Sequence, residues 1–373
     1  MSISGSKPDA DPDADDAAVT AERCAAQLLC GEPAGSAEEV TGRLLAVQAQ
    51  DPRGARLAVR ARSAGLSASD VDAALGCRSL IVSWLNRGTL HLVRAEDYWW
   101  LHPLTVPQLR TGNARRLAQE GVPPDDAERA VAVIQAALAA DGPLTRAALR
   151  ERVAAAGVRT EGQALVHILF LATVEGLIVR GPVQAGDQAF VLTRDWLGSA
   201  PRPLAPEAAL GELARRYLAG HAPAADRDLA KWAGIGLRDA RLGLARCGAE
   251  QRADGLAELP GGTAGKPGGL GGAAGKAGTA DRLRAALPPP RLLGPFDPLL
   301  LGWASRDSVV GPHKQIVTVN GLFRAFALAG GRAVGTWSYA GGQVKLAPFG
   351  VLDPETEAAL EADAVDVTRF LTH

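Results

Sequence analysis

Long apolar runs, paired cysteines and aromatic residues are all scarce in this 373-residue chain. No stretch approaches the ~20 apolar residues of a membrane-spanning helix, so no membrane span is expected. The four cysteines (Cys24, Cys30, Cys77, Cys247) contain no CxxC pair. The N-terminus, MSISGSKPDADPDADDAA, is acidic and lacks the apolar centre of a signal peptide. The thiols therefore read as reduced, framing neither disulfides nor a zinc site, in a cytoplasmic protein. Gly-rich phosphate loops, HExxH and GxSxG are missing, and the six histidines are dispersed. Triad, two-carboxylate and metal chemistries have no foothold, and no cofactor is expected.

A strong charge of one sign is also lacking, since the net is −1. Its distribution is uneven. Residues 1–40 hold nine acids against Lys7 and Arg23, so the remainder carries 38 bases and 32 acids, an excess of +6. That excess permits nucleic-acid binding without requiring it. Apolar residues at 47% and charged residues at 22% are typical of a globular protein of two or three units.

Apolar spacing predicts helices over 18–32, 37–48, 53–64 and 69–76, the last opened by Ser69 or Asp70. The β-rich runs 79–84 and 90–93 flank Asn86-Arg87-Gly88-Thr89, so helices close on a hairpin in a winged-helix pattern. A second such unit combines helices at 126–140, 145–149 and 161–175 with strands at 176–181 and 189–192. A third helical set covers 206–220, 226–233 and 237–247. Residues 261–280, GGTAGKPGGLGGAAGKAGTA, are too poor in large side chains to build a core. Beyond them, strands at 315–319, 321–327, 332–337 and 343–347 alternate with Gly-rich turns, as in a small antiparallel sheet or barrel.

Several constellations admit two readings. Gln48-Ala49-Gln50 is either a solvated or capping pair at a helix end, or two amides that converge on one site. On a helix, positions i and i+2 diverge; on an extended backbone they share a face. Arg87 and His91 either belong to an ordinary hairpin or present a cation and an imidazole. Asp97-Tyr98-Trp99-Trp100 reads as core packing more than as a base-stacking platform, and Asp70 and Asp72 as helix-start residues. FDPLLLGWASR (296–306) with Gly311-Pro312-His313-Lys314 is a barrel-entry strand and polar loop, or a loop carrying charge toward phosphate.

Seven segments in order resemble the AlkZ-like bacterial DNA glycosylases: LLAVQAQDPRGA (44–55), VSWLNRGTLHLVRAEDYWWL (82–101), GPLTRAALRE (142–151), LVHILFLATVEGLIVRGP (165–182), LARRYLAGHAPAADRDLAKWAGI (213–235), FDPLLLGWASR and GRAVGTW (331–337). The resemblance implies an α+β fold of three tandem winged-helix units plus a small C-terminal antiparallel β-barrel, C-shaped with a concave DNA-binding face. The expected divisions are a disordered tail at 1–17, winged helices at 18–120, 121–204 and 205–260, a flexible linker at 261–285, a barrel at 286–352 and a C-terminal segment at 353–373.

The resemblance further implies that Gln48 and Gln50 carry base excision, as in the Gln-apolar-Gln branch associated with bulky N7-guanine adducts and interstrand crosslinks. Arg53, Arg87, Thr89, His91, Arg306, His313 and Lys314 are the expected DNA contacts. His313 and Lys314 match the family's DNA-gripping hairpin by position. Pro298 and Leu299 depart from the acid and tyrosine of many relatives. The implied activity is monofunctional hydrolysis of N7-alkylated purines in double-stranded DNA by a monomer, in base-excision repair or in self-resistance to an alkylating natural product. Two rivals stand beside it: a non-catalytic winged-helix regulator, and a protein that sequesters the genotoxin itself.

Overall fold

The computed structural model describes residues 12–261, 287–318 and 320–372. The first helix, α1 (Pro12–Ala26), starts inside the expected tail 1–17 and ends before the predicted limit of 32. Residues 1–11 of that tail, and nearly all of the predicted linker 261–285, lie outside the described residues. Helix α2 (Ala37–Leu44) is capped by Ser36, whose hydroxyl accepts from the Glu39 N–H. It stops at Leu44 rather than running to 48, and the short strand β1 (Val47–Gln48) follows.

Next come α3 (Pro52–Arg60), α4 (Ala68–Gly76), and the hairpin of β2 (Leu80–Leu85) and β3 (Thr89–Arg94). The N-cap of α4 is Ser67, not Ser69 or Asp70 as expected. Asp70 Oδ2 accepts from the Ser67 backbone N–H, and Asp72 instead pairs with Arg56.

Two helices that the spacing did not reveal, α5 (Ala95–Thr105) and α6 (Leu109–Gln119), link this part to α7 (Pro124–Asp141), α8 (Arg146–Ala155) and α9 (Ala164–Val174). Strands β4 (Ile178–Gln184) and β5 (Asp187–Leu192) form the second hairpin, followed by α10 (Thr193–Leu197). The two hairpins are joined. They form one five-stranded sheet, β1-β3-β2-β4-β5, with Val82 paired to Arg180 at the seam. Alternation along the strands sends Val47, Val82, Trp84, Leu90 and Leu92 into one apolar cluster and Ile81, Leu85 and Val93 into another. The sheet is thus buried on both faces.

Helices α11 (Pro206–His221), α12 (Asp226–Ala233) and α13 (Leu237–Arg246) precede a minimal hairpin, β6 (Glu250–Gln251) and β7 (Ala257–Glu258). The C-terminal part holds β8 (Arg291–Leu293), the short helices α14 (Pro298–Leu301) and α15 (Asp307–Val310), then β9 (Phe326–Ala329), β10 (Arg332–Ala340) and β11 (Gln343–Pro348). The expected closed barrel is corrected here. The strands form an open antiparallel sheet in the order β11-β10-β9-β8, and the predicted strand at 315–319 begins as a single 3-10 turn, Lys314–Ile316.

The segment after 353 is a 19-residue helix, α16 (Pro354–Thr372). Its Leu360 and Val367 pack with Leu292, Ala327 and Trp337. Closure fails for a visible reason: β8 and β11 stay apart while α16 supplies the apolar cover. No helix among the described residues is long and apolar enough to cross a membrane.

Candidate active site

Two local devices flank Gln48-Ala49-Gln50, where the strand β1 ends at Gln48 and the chain bends at Gln50. At the upstream end Leu45 has φ 63° and ψ −46°, and the Ala46 N–H donates to the Leu44 carbonyl at 2.8 Å. This is a γ-turn of the rare left-handed kind, strained for a side chain branched like leucine. It turns the chain out of α2 within one residue. At the downstream end Pro52 restricts Asp51 to extended geometry, and Asp51 caps α3 by accepting from the Gly54 N–H at 2.8 Å. Gly54 also lets α3 approach the C-terminal part, since a Cβ there would overlap the carbonyl oxygen of Pro295.

Strand pairing then builds a polar row. Gln48 is opposite His91 on β3, and His91 is opposite Ser83 on β2. Directly paired residues project to the same face, so the three side chains stand side by side across three strands. All three are buried, at 7%, 3% and 1% exposure. Among the described residues, Gln48 Oε1 and Ser83 Oγ have no hydrogen-bond partner, and neither do the side-chain amide of buried Asn86 or the Thr89 hydroxyl. Buried polar atoms are rarely left this way, because each forfeits its hydration without a substitute.

His91 is neutral. Burial pushes its pKa down to about 3, and the nearby Arg87 charge acts in the same direction. Its Nδ1 lies 2.9 Å from the Thr89 carbonyl, which can only accept, so Nδ1 carries the proton and Nε2 the lone pair. The ring is therefore uncharged at neutral pH, and Arg87 is the cation of this hairpin turn. Gln50 is exposed, and its Oε1 accepts from the Leu90 N–H at 3.3 Å, which turns its NH2 group outward.

Of the expected DNA contacts, Arg87 and Arg306 come together. Arg87, at the β2–β3 turn, is exposed and donates to the Lys231 carbonyl at 3.0 Å. Its pKa is lowered by partial desolvation and by the Arg306 charge. Arg306 lies over the Phe323 ring at 5.0 Å, so the 311–325 loop adjoins this pair. In that loop His313 stacks on Phe349 at 4.0 Å and Lys314 is exposed. Arg53 is also exposed, 5.8 Å from the Tyr339 ring on β10.

FDPLLLGW has a different task. Asp297, at 0% exposure, forms a two-point ion pair with equally buried Arg62, at 2.8 and 2.9 Å, and also caps α14. Asp97 is held by Arg94 and Arg216, and Tyr98 is buried in the core. Ser83 and Asn86 were missed by sequence reasoning. The available signal was a lone serine within the otherwise apolar run LIVSWL and the asparagine that closes it, a residue type that tolerates the positive φ found there.

A mixed α/β protein with a buried polar row that keeps unpartnered acceptors, beside exposed Arg87 and half-buried Arg306, has the makings of a nucleic-acid enzyme. The class is a DNA glycosylase: the family model of the AlkZ-like DNA glycosylases matches residues 41–370, and the chain belongs to that family. It is 29% identical to an interstrand DNA cross-link repair glycosylase of Streptomyces sahachiroi, over 94% of this chain and 95% of the relative. The solved structure of Streptomyces sahachiroi DNA glycosylase AlkZ matches with a TM-score of 0.70 at 24% identity, covering 95% of this chain and 96% of that one.

Proposed function

We propose that this chain hydrolyses the N-glycosidic bond of N7-alkylated purines, bulky or crosslinked, in double-stranded DNA, leaving an abasic site. The observation that carries this reading is the unpartnered Gln48 Oε1 in the row with neutral His91. An amide oxygen cannot act as a strong base. It can accept from a water and face a developing sugar cation, which suffices when alkylation has already made the base a cationic leaving group. Gln50, with its oxygen engaged by Leu90, offers its NH2 to orient the same water or the sugar. The relative described as an interstrand DNA cross-link repair glycosylase supports the bulky or crosslinked substrates.

The helices and hairpins are taken as three winged-helix units curved around a concave DNA face, working as a monomer in the cytoplasm, in repair or self-resistance. Arg53, Arg87, Arg306 and Lys314 act as phosphate contacts, Thr89 and His313 line the groove, and His91 orients Gln48. A regulator without catalysis has no use for two amides beside a buried polar row, and the family match does not favour it.

The test incubates the protein with oligonucleotides carrying N7-methyl, bulky N7 and crosslinked guanines, followed by hot alkali. Strand breaks are expected at the lesions, and a sequence-preferring gel shift without breaks would show a regulator instead. No lysine neighbours the motif along the chain, so borohydride should trap no covalent adduct, and a trapped adduct would end the monofunctional reading.

A further inference from the structure

A cleft of about 380 Å³ opens just beyond the glutamines, and none of the expected DNA contacts lines it. Pro52 and Arg56 of α3 form one wall. Arg146, Arg150 and Glu151 of α8 form another, and Arg180 with the β4–β5 turn closes the third. Pro52 is two residues past Gln50, so the cleft begins within roughly 7 Å of the motif's backbone.

Arg180 is the unusual member. Its guanidinium lies between the rings of Trp84 and Phe190, at 4.9 and 5.1 Å, and forms no hydrogen bond or ion pair among the described residues. Its Nε is buried without a partner. Desolvation, and after it the Arg146 charge, lowers its pKa to about 10, so it remains a cation at neutral pH. Arg146 and Arg150 are exposed and likewise without an ion pair. They stand one helical turn apart, about 6 Å along the axis, and so share a face. Arg146 opens α8, where the helix dipole also favours an anion. The two acids of the lining, Glu151 and Asp187, pair with none of these arginines. Three cations are thus held together against their mutual repulsion, one of them partly stripped of water, and none has an ion-pair partner among the described residues. Aromatic sandwiching explains how Arg180 tolerates this, because guanidinium is weakly hydrated and stacks well.

We infer that Arg146, Arg150 and Arg180 form a phosphate subsite that grips the DNA backbone beside the lesion held at Gln48 and Gln50. The assignment rests on the DNA-directed reading above, yet it concerns binding alone. It is therefore tested on undamaged duplex, where excision has no part. The measurement is the slope of log affinity against log salt, by fluorescence anisotropy. Each phosphate contact contributes about 0.9 to that slope. The double variant R146Q/R150Q should lower it by about 1 to 2. Arg152 lies on the same helix but is paired with Asp141 outside the cleft, and R152Q should leave the slope unchanged.

An unchanged slope in R146Q/R150Q overturns the subsite. An equal loss in R152Q overturns it too, since the effect would then be one of net charge. The two mutated arginines are exposed, so folding does not hinge on them. A free-anion arm compares melting in inorganic phosphate and in chloride at matched ionic strength. Phosphate stabilisation lost in R146Q/R150Q without a change of DNA slope would assign the cleft to free phosphate and overturn the backbone role. If the wild-type chain excises no lesion while the slope falls as expected, the glycosylase chemistry fails and the subsite stands.

Discussion

Helix α3 has a buried polar site at each end, and the two could hardly differ more. After its last turn, both terminal nitrogens of Arg62 meet Asp297, and Gln27 and the Ala58 carbonyl accept further hydrogen bonds. Before its first turn, Gln48, His91 and Ser83 are also buried, but Gln48 Oε1 and Ser83 Oγ have no partner among the described residues. The first site joins the N-terminal helices to the C-terminal part, its carboxylate and both terminal guanidinium nitrogens are paired, and only Arg62 Nε lacks a partner among the described residues. The second sacrifices stability and leaves acceptors for a ligand. Burial alone therefore does not separate architecture from chemistry; the state of the hydrogen bonds does.

The largest expected effect breaks the satisfied end. Arg62→Leu strands the Asp297 carboxylate in the core and should cost about 3–5 kcal/mol, read from urea midpoints. The double change Arg62→Leu/Asp297→Leu should recover much of that loss, and a double variant as unstable as the single one would show that the pair is not the joint.

At the unsatisfied end the pattern should invert. Gln48→Ala should slow single-turnover excision by on the order of 10²-fold or more, with the urea midpoint nearly unchanged, because the amide it removes has no partner to lose. A large fall in stability with excision intact would erase the contrast.

Gly54→Ala probes the helix between the sites. Its new methyl group would press on the Pro295 carbonyl, and about 1–3 kcal/mol of destabilisation is expected.

The smallest effect is in pH. His91 and His221 are both buried, and burial holds each at about 3 against an ordinary 6.5. The unfolded chain binds their protons first, so their contribution is complete above 6.5 and is lost as pH falls toward 3. From pH 7 to pH 6 the loss should be about 0.7 kcal/mol for each histidine. Excision should show no inflection near 6.5 that disappears in His91→Gln, and such an inflection would restore a titrating role to the ring.

Much of this was legible along the chain. Helix α12 begins and ends where spacing placed it, and the β2–β3 and β4–β5 hairpins follow their turn residues. Helix α16 was not legible, because only Leu360, Val367 and Phe370 of its residues are buried and its apolar stripe is thin. The open sheet was mistaken for a barrel for a related reason: alternation reveals strands, whereas closure depends on whether the first and last strands meet. Asp297 and Arg62 lie 235 positions apart, and no local pattern announces such a pair.

The Gln48-Ala49-Gln50 motif divides along the same line. Its i, i+2 spacing and the Asp51-Pro52 pair that follows determined by themselves that the amides share a face only on an extended backbone, since that is a property of covalent geometry and local sterics. Only the tertiary structure decided that His91 and Ser83 complete the row, that Gln48 loses its water and that the imidazole is neutral. Register and desolvation arise from segments that meet across the sheet, and they are written in no single stretch of the chain.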